Sequence, residues 1–318
     1  MLASLKAFAK RHYEYIEAVK SISFDIAQGE IVGFLGSNGA GKTTTLKMLA
    51  GLLYPSTGEL EVAGFQPQKR QKAFLKSITL VMGQKQQLSW DLAAVDSFLV
   101  NQAIYEIPDK LYQERLAELV EMLAIGKVMK QQVRKMSLGE RMKCELAAAL
   151  LHQPKVLFLD EPTIGLDVNM QEVVRHFVQN YNERYGATIM LTSHYMADVT
   201  ALAKRIIVIE QGNIIFDGNL AKLIEEKAPQ KRLKLQVEHP LDEQALQHLA
   251  HYGKVIEQQG LEVQLDIPRD KVAGMVAKLL QNFAIADIAI SDIPLEAVMG
   301  QLFKDTLPAK DEHVSASN

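Results

Sequence analysis

The residues with the clearest chemistry lie between Gly36 and Thr43, where the chain reads Gly-Ser-Asn-Gly-Ala-Gly-Lys-Thr. A glycine, four residues and then Gly-Lys-Thr form the phosphate-loop pattern. Glycines let backbone N–H groups approach phosphate oxygens closely, and the positive end of the following helix points at the same oxygens. Lys42 supplies a charge for the β- and γ-phosphates, and the Thr43 hydroxyl can ligate Mg²⁺. The pattern predicts a nucleoside triphosphate site.

Two further sets of reactive groups follow apolar runs that are typical of buried strands. Asp160 and Glu161 come after the run 156–159, and His194 ends the stretch 188–194. In a parallel α/β sheet, ligands bind at the carboxyl ends of the strands. Near a phosphate loop, Asp160 suits Mg²⁺ through a water, and Glu161 can orient and deprotonate an attacking water. His194 is a candidate γ-phosphate contact, although a strand-end histidine alone is more often structural.

Two weaker signals complete the candidate site. Ser137 and Gly139 stand at the start of a predicted helix, where a hydroxyl and exposed N–H groups can bind an anion, although an ordinary helix cap is the commoner explanation. Tyr13 or Tyr15 could stack on a nucleotide base, since an aromatic face accepts any base, and packing within the protein is about equally expected.

The elements that must position these residues follow from hydrophobic periodicity. A strand over 30–35 and a helix over 42–50 flank the phosphate loop, and the stretch 88–151 is predicted to be rich in helix. Further strands are predicted over the ranges 19–26, 59–62, 77–82, 156–159, 188–192, 205–210 and 213–217. The sequence therefore favours an α/β fold.

The pattern changes near residue 229, and the order of strands and helices becomes βαββαβ, which suggests a small ferredoxin-like α+β domain. We therefore expect a nucleoside triphosphate-binding domain over 1–228, with a helix-rich part over about 85–151, an accessory domain over 229–304 and a disordered tail over 305–318. Nothing in the residues decides whether the accessory domain is regulatory, senses a ligand or supports a dimer.

Composition limits the class of protein. The 318 residues are 48% hydrophobic and 23% charged with a net charge of −3, so no basic excess indicates nucleic acid as a partner. The single cysteine, Cys144, fits a reducing compartment. No apolar run reaches the length of a membrane span and the first 15 residues do not resemble a signal peptide. We expect a cytoplasmic protein that reaches a membrane only through another chain.

Taken together, the motifs resemble the ATP-binding subunits of ABC transporters over about residues 13–220. The resemblance covers the phosphate loop, Gln84 at a strand end, Met136-Ser-Leu-Gly-Glu140 in place of the family signature, the run ending in Glu161, Ile164-Gly-Leu-Asp167, and His194. The signature departs from the common Leu-Ser-Gly-Gly-Gln at Leu138 and Glu140.

The resemblance implies a P-loop nucleoside triphosphatase fold and a set of roles in binding ATP and Mg²⁺. Glu161 is the general base and His194 contacts the γ-phosphate, while Thr43, Gln84 and Asp160 surround Mg²⁺. Tyr13 stacks on adenine, and Asp167 lies beside the nucleotide. The phosphates are held by Gly36, Ser37, Asn38, Gly39, Ala40, Gly41, Lys42, Thr43 and Thr44.

The resemblance also implies partners. Two copies, or paired ATPase subunits, sandwich two ATP molecules head to tail, so that Ser137 and Gly139 of one subunit reach the nucleotide of the other. The stretch 81–92 resembles bacterial ATPases that pair with separately encoded ABC-2-type permeases, commonly for export. Trp90 is a candidate permease contact, with packing inside the helical subdomain as the alternative.

A second hypothesis is a soluble ABC ATPase that acts on ribosomes or DNA. The single motif set and the lack of a heptad run favour the transporter. A non-hydrolysing regulator would lack the base, and Glu161 is present.

Overall fold

The computed structural model describes residues 16–83 and 87–306. The expectations for Tyr13, Tyr15, Gln84 and residues 307–318 of the predicted tail lie outside the described residues. The chain divides into two compact units, Met1–Asp217 and Gly218–Asn318. The change in sequence pattern had suggested a boundary at residue 228. We describe the two units separately.

A six-stranded sheet forms the centre of the first unit, and its strands in chain order are β1 (Ile31–Gly36), β2 (Ile78–Met82), β3 (Val156–Asp160), β4 (Thr188–Thr192), β5 (Arg205–Glu210) and β6 (Asn213–Asn219). They lie in the order β2-β3-β4-β1-β5-β6. Parallel pairing joins β2 to β3, β3 to β4, β4 to β1 and β1 to β5. The carboxyl ends of these five strands therefore share one edge, where parallel sheets bind ligands.

Helices of the first unit are α1 (Lys42–Leu49), α2 (Lys72–Ser77), α3 (Ala94–Tyr105), α4 (Asp109–Leu123), α5 (Leu138–Leu150), α6 (Val168–Tyr185) and α7 (Met196–Leu202). The predicted helix-rich stretch contains α3, α4 and α5. On α4 the apolar side chains of Leu116, Leu119 and Leu123, at helical spacing, are buried, and Val120 is partly buried.

The sheet has an apolar core on each face. On β3, Leu157 and Leu159 pack into a core that also holds buried residues of α5 and α6. Phe158, between them, packs into a second core together with Leu46 of α1 and Phe74 of α2. Strands that are buried on both faces read as continuous apolar runs, which explains why these strands were visible in the sequence.

Two of the predicted strands are wrong. Residues 19–26 have no regular secondary structure, and in 59–62 only Val62 pairs, in an isolated bridge with Phe65. The alternation of Ile22, Phe24 and Ile26 has another cause, since these side chains are partly buried against the second core. The alternation of apolar and polar residues indicated which side chains are buried, but it could not indicate whether the segment pairs with another strand.

The second unit contains a four-stranded antiparallel sheet. Its elements in chain order are α8 (Leu220–Lys227), β7 (Gln230–Val237), α9 (Glu243–Ala250), β8 (Lys254–Gln259), β9 (Glu262–Pro268), α10 (Val272–Asn282), β10 (Ile285–Asp292) and α11 (Leu295–Thr306). From β7 to β10 the order is βαββαβ, and the strands lie as β10-β7-β9-β8 with antiparallel neighbours. The predicted ferredoxin-like topology is confirmed.

The core of this unit lies on one side of its sheet. Leu233, Leu235 and Val263 are buried with Leu249 of α9 and Leu279 of α10. Across the described ranges of both units, none of the helices combines the length and the apolar character that a bilayer crossing requires.

Candidate active site

The phosphate loop connects β1 to α1 through backbone conformations that suit glycine. Gly39 has φ +83° and Gly41 has φ +109°, both in the left-handed region. Gly41 is the residue that precedes α1, and no side chain caps the helix there. The N–H groups of the first turn of α1 therefore have no side-chain acceptor at the cap, and they can serve an anion instead.

Two glycines of the loop are also required by close backbone packing. A Cβ atom at Gly36 would lie 2.1 Å from the carbonyl oxygen of Ile209, and one at Gly41 would lie 2.5 Å from that of Ala18. The loop is further held from the β5–β6 turn, because the N–H of Gly212 donates to the carbonyl oxygen of Ala40 at 3.0 Å. Packing against β5 and residue 18 thus fixes the shape of the loop.

The Lys42 side chain is buried and folds back over the loop. Its Nζ donates to the carbonyl oxygens of Gly36 at 2.8 Å and of Ser37 at 2.9 Å. Burial lowers the pKa of the Lys42 ammonium, and the nearby carboxylates, Glu161 foremost, oppose that shift. The amine therefore lies where phosphate oxygens could replace the two carbonyl acceptors.

The remaining predicted loop residues surround this lysine. The N–H of Ser37 donates to Glu210 Oε2 at 3.3 Å. Asn38 is exposed, Ala40 is buried, and Thr44 is half-buried in the first turn of α1.

Asp160 connects the phosphate loop to the end of β4. Its Oδ2 accepts a hydrogen bond from Thr43 Oγ1 at 3.0 Å, and its Oδ1 accepts one from Thr192 Oγ1 at 2.7 Å. The predicted pair Thr43 and Asp160 is thus brought together although 117 residues separate them in the chain. A hydroxyl and a carboxylate side by side are the oxygen ligands that Mg²⁺ prefers.

Glu161 and His194 form a pair directly beside Asp160. His194 Nε2 lies 2.9 Å from Glu161 Oε1. Glu161 has φ +55°, an uncommon conformation for a residue other than glycine, and its N–H donates to the carbonyl oxygen of Thr192 at 3.1 Å. An uncommon backbone conformation of this kind is often found at functional sites.

The segment that leads to Gln84 reaches the same edge. The N–H of Gly83 donates to the carbonyl oxygen of Asp160 at 2.9 Å, and a Cβ at Gly83 would lie 2.1 Å from the carbonyl oxygen of Glu161. Gln84 itself lies outside the described residues, so its role near Mg²⁺ stays a prediction.

Ser137 caps α5 in a reciprocal arrangement with Glu140. The Ser137 N–H and hydroxyl each donate to Glu140 Oε2 at 2.9 Å, and the Glu140 N–H donates to Ser137 Oγ at 3.2 Å. These hydrogen bonds, the backbone one foremost, hold the pKa of the Glu140 carboxyl below its usual value. The replacement of glutamine by glutamate therefore strengthens the cap.

The signature segment contacts the loop that leads into α6. A Cβ at Gly139 would lie 2.8 Å from the Met170 side chain, and one at Gly165 would lie 3.1 Å from Leu138 Cδ2. Asp167 caps α6, since its Oδ1 accepts from the N–H of Met170 at 2.9 Å. Ser137, Gly139 and Asp167 thus form one cluster, and the hydrogen bonds found among the described residues do not connect them to the phosphate loop of the same chain.

Glu145 is a functional candidate that the sequence argument missed. It is only 4% exposed on α5, and its carboxylate accepts from the N–H groups of Gln87, at 3.1 and 2.9 Å, and of Leu88, at 3.3 Å. Burial, its largest cause, raises the pKa of Glu145. The carboxylate ties the segment just after residues 84–86 to the signature helix. A glutamate inside the apolar run Cys144–Leu151 was the available signal.

Trp90 lies on the helical subdomain and is 46% exposed, with the guanidinium of Arg141 5.9 Å from the centre of its ring. Its partial exposure is compatible with the predicted permease contact.

Comparison with known proteins agrees with this geometry. The family model for ABC transporters matches residues 19–164, and a model described as the EvrA-like ABC transporter C-terminal domain matches residues 229–291. The ABC transporter ATP-binding protein NatA of Bacillus subtilis is 35% identical over 212 residues, which are 67% of this chain and 86% of that protein.

Two further matches extend the comparison. The linearmycin resistance ATP-binding protein LnrL of Bacillus subtilis is 32% identical over 274 residues, which are 85% of this chain and 87% of that protein. A structure of cbiO1 from Clostridium perfringens, part of the ABC transporter complex cbiONQ, is 25% identical with a TM-score of 0.59, covering 68% of this chain and 88% of that one. The similarity to NatA over most of that protein's length shows the family, and the chain therefore belongs to the ATP-binding subunits of ABC transporters and is an ATPase.

Proposed function

We propose that this chain hydrolyses ATP to drive export through a separate integral membrane permease of the ABC-2 type. The observation that carries the proposal is the meeting of Thr43, Asp160, Glu161 and His194 at one sheet edge beside the phosphate loop. A charge for phosphate, oxygen ligands for a metal ion and a base for water are the parts that phosphoryl transfer to water requires.

ATP binding relies on hydrogen-bond donors of the phosphate loop and of the first turn of α1. Phosphate oxygens take the place of the carbonyl groups of Gly36 and Ser37 as acceptors for Lys42 Nζ, and they accept from the uncapped first turn of α1. The first change pairs a buried ammonium with negative charge, which offsets the cost of its burial. The second gives acceptors to backbone N–H groups that have no side-chain cap. The adenine stacks on Tyr13.

The Thr43 hydroxyl and the Asp160 carboxylate, 3.0 Å apart, would hold Mg²⁺ beside the nucleotide, the carboxylate through water. Gln84 would lie near the same ion. The ion neutralises charge on the phosphates during transfer.

Hydrolysis requires a base and a group that holds it in place. Glu161 accepts a proton from the attacking water, and His194, 2.9 Å from Glu161 Oε1, orients that carboxylate and contacts the γ-phosphate. Electrostatic stabilisation of the transferred group falls to Lys42.

Two subunits complete each site head to tail. Ser137 and Gly139 of one copy approach the γ-phosphate held by the other, and Asp167 lies beside them. The clustering of these three residues away from the hydrogen bonds of their own phosphate loop supports this arrangement. ATP then favours the closed pair and hydrolysis releases it, a ligand-biased two-state change.

The family and one relative support the proposed partner and location. LnrL is named for linearmycin resistance and is similar over both units of this chain, which supports export. The protein binds the inner face of the cell membrane through its permease, with Trp90 in the contact surface. Residues 1–228 form the ATPase, and residues 229–304 support the dimer.

A capture experiment tests the proposal. Tagged Glu161→Gln protein, incubated with MgATP in detergent extracts, is expected to retain ATP and to co-purify with integral membrane subunits. Lys42→Ala, which removes the phosphate charge, serves as the control that does not respond to ATP. Recovery of ribosomal or DNA-bound proteins instead, in an ATP-dependent manner, would favour the alternative of a soluble ATPase and overturn the transport proposal.

A further inference from the structure

A buried carboxylate outside the predicted site lies close behind the catalytic pair. Asp198, in the first turn of α7, is 1% exposed. Leaving a charge of this kind without partners would cost several kcal/mol. Its partners therefore indicate what the charge does.

Three donors from three different segments meet at this carboxylate. Oδ2 accepts from the hydroxyls of Thr163 and of Ser193, the latter at 2.7 Å. Oδ1 accepts from Arg175 NH1 on α6 at 2.8 Å, in an ion pair whose arginine is 16% exposed. Hydrogen bonds from two hydroxyls and a guanidinium to a charged carboxylate are stronger than hydrogen bonds between neutral groups.

Each of the two hydroxyls lies within two residues of a member of the catalytic pair. Thr163 follows Glu161 by two residues, and Ser193 immediately precedes His194. Ser193 Oγ also accepts from the N–H of Tyr195 at 3.0 Å, so the backbone on both sides of His194 is fixed. One carboxylate thus holds the two segments that carry the base and its histidine.

Resting on the proposed roles of Glu161 and His194, we propose that Asp198 is a positioning residue for hydrolysis. It sets the distance between Glu161 and His194 by anchoring Thr163 and Ser193 to a common point, and Arg175 fixes that point relative to α6. A role confined to the stability of α7 is the ordinary alternative, and the two roles differ in what they do to kcat.

Matched substitutions separate the two roles. Thr163→Val removes the hydroxyl and keeps the shape, whereas Thr163→Ser keeps the hydroxyl. Ser193→Ala removes the other hydroxyl that bonds to Asp198, and Asp198→Asn removes the negative charge that accepts hydrogen bonds from both hydroxyls. Thr200→Val on α7 is the control, because its hydroxyl bonds only to the Met196 carbonyl of its own helix.

The measurement is steady-state hydrolysis of MgATP by the purified full-length chain, with thermal unfolding alongside. For Thr163→Val, Ser193→Ala and Asp198→Asn we expect kcat to fall about 10- to 100-fold, as displacement of catalytic groups by about 1 Å does, with KM for MgATP changed less than about twofold. Thr163→Ser and Thr200→Val are expected to retain wild-type kcat.

Lowered melting temperatures with an unchanged kcat in Thr163→Val and Ser193→Ala would overturn the inference, even if Asp198→Asn does not fold. A fall in kcat for Thr163→Ser as large as that for Thr163→Val would also overturn the inference, since the hydroxyl would then not be the relevant group. A Glu161→Gln variant that hydrolyses ATP at the wild-type rate would instead contradict the proposed role of Glu161 as the base. This outcome is distinct from a failure of the Asp198 proposal, because it does not depend on the Thr163 and Ser193 variants.

Discussion

The helices α1 and α5 both begin in sequences that suit phosphate, yet their first turns are satisfied in opposite ways. Gly41 precedes α1 and provides no side-chain cap, and Lys42 Nζ donates to the loop carbonyl oxygens. Ser137 precedes α5, and its hydroxyl both donates to and accepts from Glu140. The first helix offers free donors, whereas the second has already used its hydroxyl.

The difference indicates which of the two helix N-termini can bind phosphate without first breaking a hydrogen bond of its own. At α1 a phosphate gains the amides without breaking a cap. At α5 the Ser137 hydroxyl must give up its bond to Glu140 before it can donate to a phosphate, although the cap from Oγ to the Glu140 N–H can remain. A conditional donor suits a group that another subunit brings to the nucleotide. Four predictions test this contrast, beginning with the largest effect.

Lys42→Ala is expected to reduce ATP hydrolysis by at least about 100-fold, because a preorganised charge at the transferred phosphate is lost. The check is the rate of phosphate release at saturating MgATP. Lys47→Ala, on the last turn of the same helix, is the matched control and should hydrolyse normally. Substantial activity in Lys42→Ala would mean that the α1 amides suffice without the lysine.

Mixing Lys42→Ala protein with Ser137→Ala protein is expected to restore hydrolysis that neither variant shows alone. In a head-to-tail pair, one of the two sites then combines an intact phosphate loop with an intact signature segment. If each chain completed its own site, the mixture would stay inactive. The protein that carries both substitutions is the control, because it spoils every site in any pairing with itself.

Ser137→Ala is expected to lower the free energy of unfolding by about 1 kcal/mol, the usual effect of removing an N-terminal cap. Chemical denaturation of the full chain measures it. The same substitution at Ser37, whose hydroxyl caps no helix, should change stability less. A loss in Ser137→Ala no larger than the Ser37→Ala loss would show that the hydroxyl does not stabilise α5.

Glu140→Gln is expected to produce the smallest effect, about 0.3 kcal/mol, because water screens an exposed hydrogen-bonded carboxylate. The pKa of Glu140 is lowered in the folded state. The stabilisation is therefore complete at pH values above the pKa of the carboxyl in the unfolded chain, about 4.3. It is lost as the pH falls through the lower pKa of the folded state.

Thermal unfolding of wild type and Glu140→Gln between neutral and acidic pH measures this difference. The two curves should converge at the acidic end. A difference that grows on acidification would contradict the assignment of the carboxylate as the ionised partner of Ser137.

Much of the sheet edge could be predicted because the strands are buried on both faces. The apolar runs before Gly36, Asp160 and His194 predicted β1, β3 and β4, and general rules placed their carboxyl ends together. The strand order was beyond reach. Thr43 follows β1 and Asp160 ends β3, with β4 between them in the sheet, and no local pattern encodes that arrangement.

Two buried carboxylates in helices were missed in the sequence, and the reason is again that their partners are remote in the chain. Glu145 and Asp198 lie in helices, where carboxylates usually face water. Their burial depends on donors that are remote in the sequence, Gln87 for the first and Thr163 for the second. Such a network is visible only when the segments are folded together. The Ser137 cap is local, and a serine at the start of a predicted helix was sufficient to suggest it. The reciprocal hydrogen bonds from Ser137 to Glu140 were not predicted.

The contact between Gly83 and Glu161 has a mechanical consequence. No side chain separates the two backbones, since even a Cβ at Gly83 would lie 2.1 Å from the Glu161 carbonyl oxygen. The N–H of Gly83 also donates to the carbonyl oxygen of Asp160 at 2.9 Å. A contact without a deformable side chain transmits displacement with little slack. A shift of the chain at Gly83 must therefore be followed by the backbone of Glu161, the proposed base.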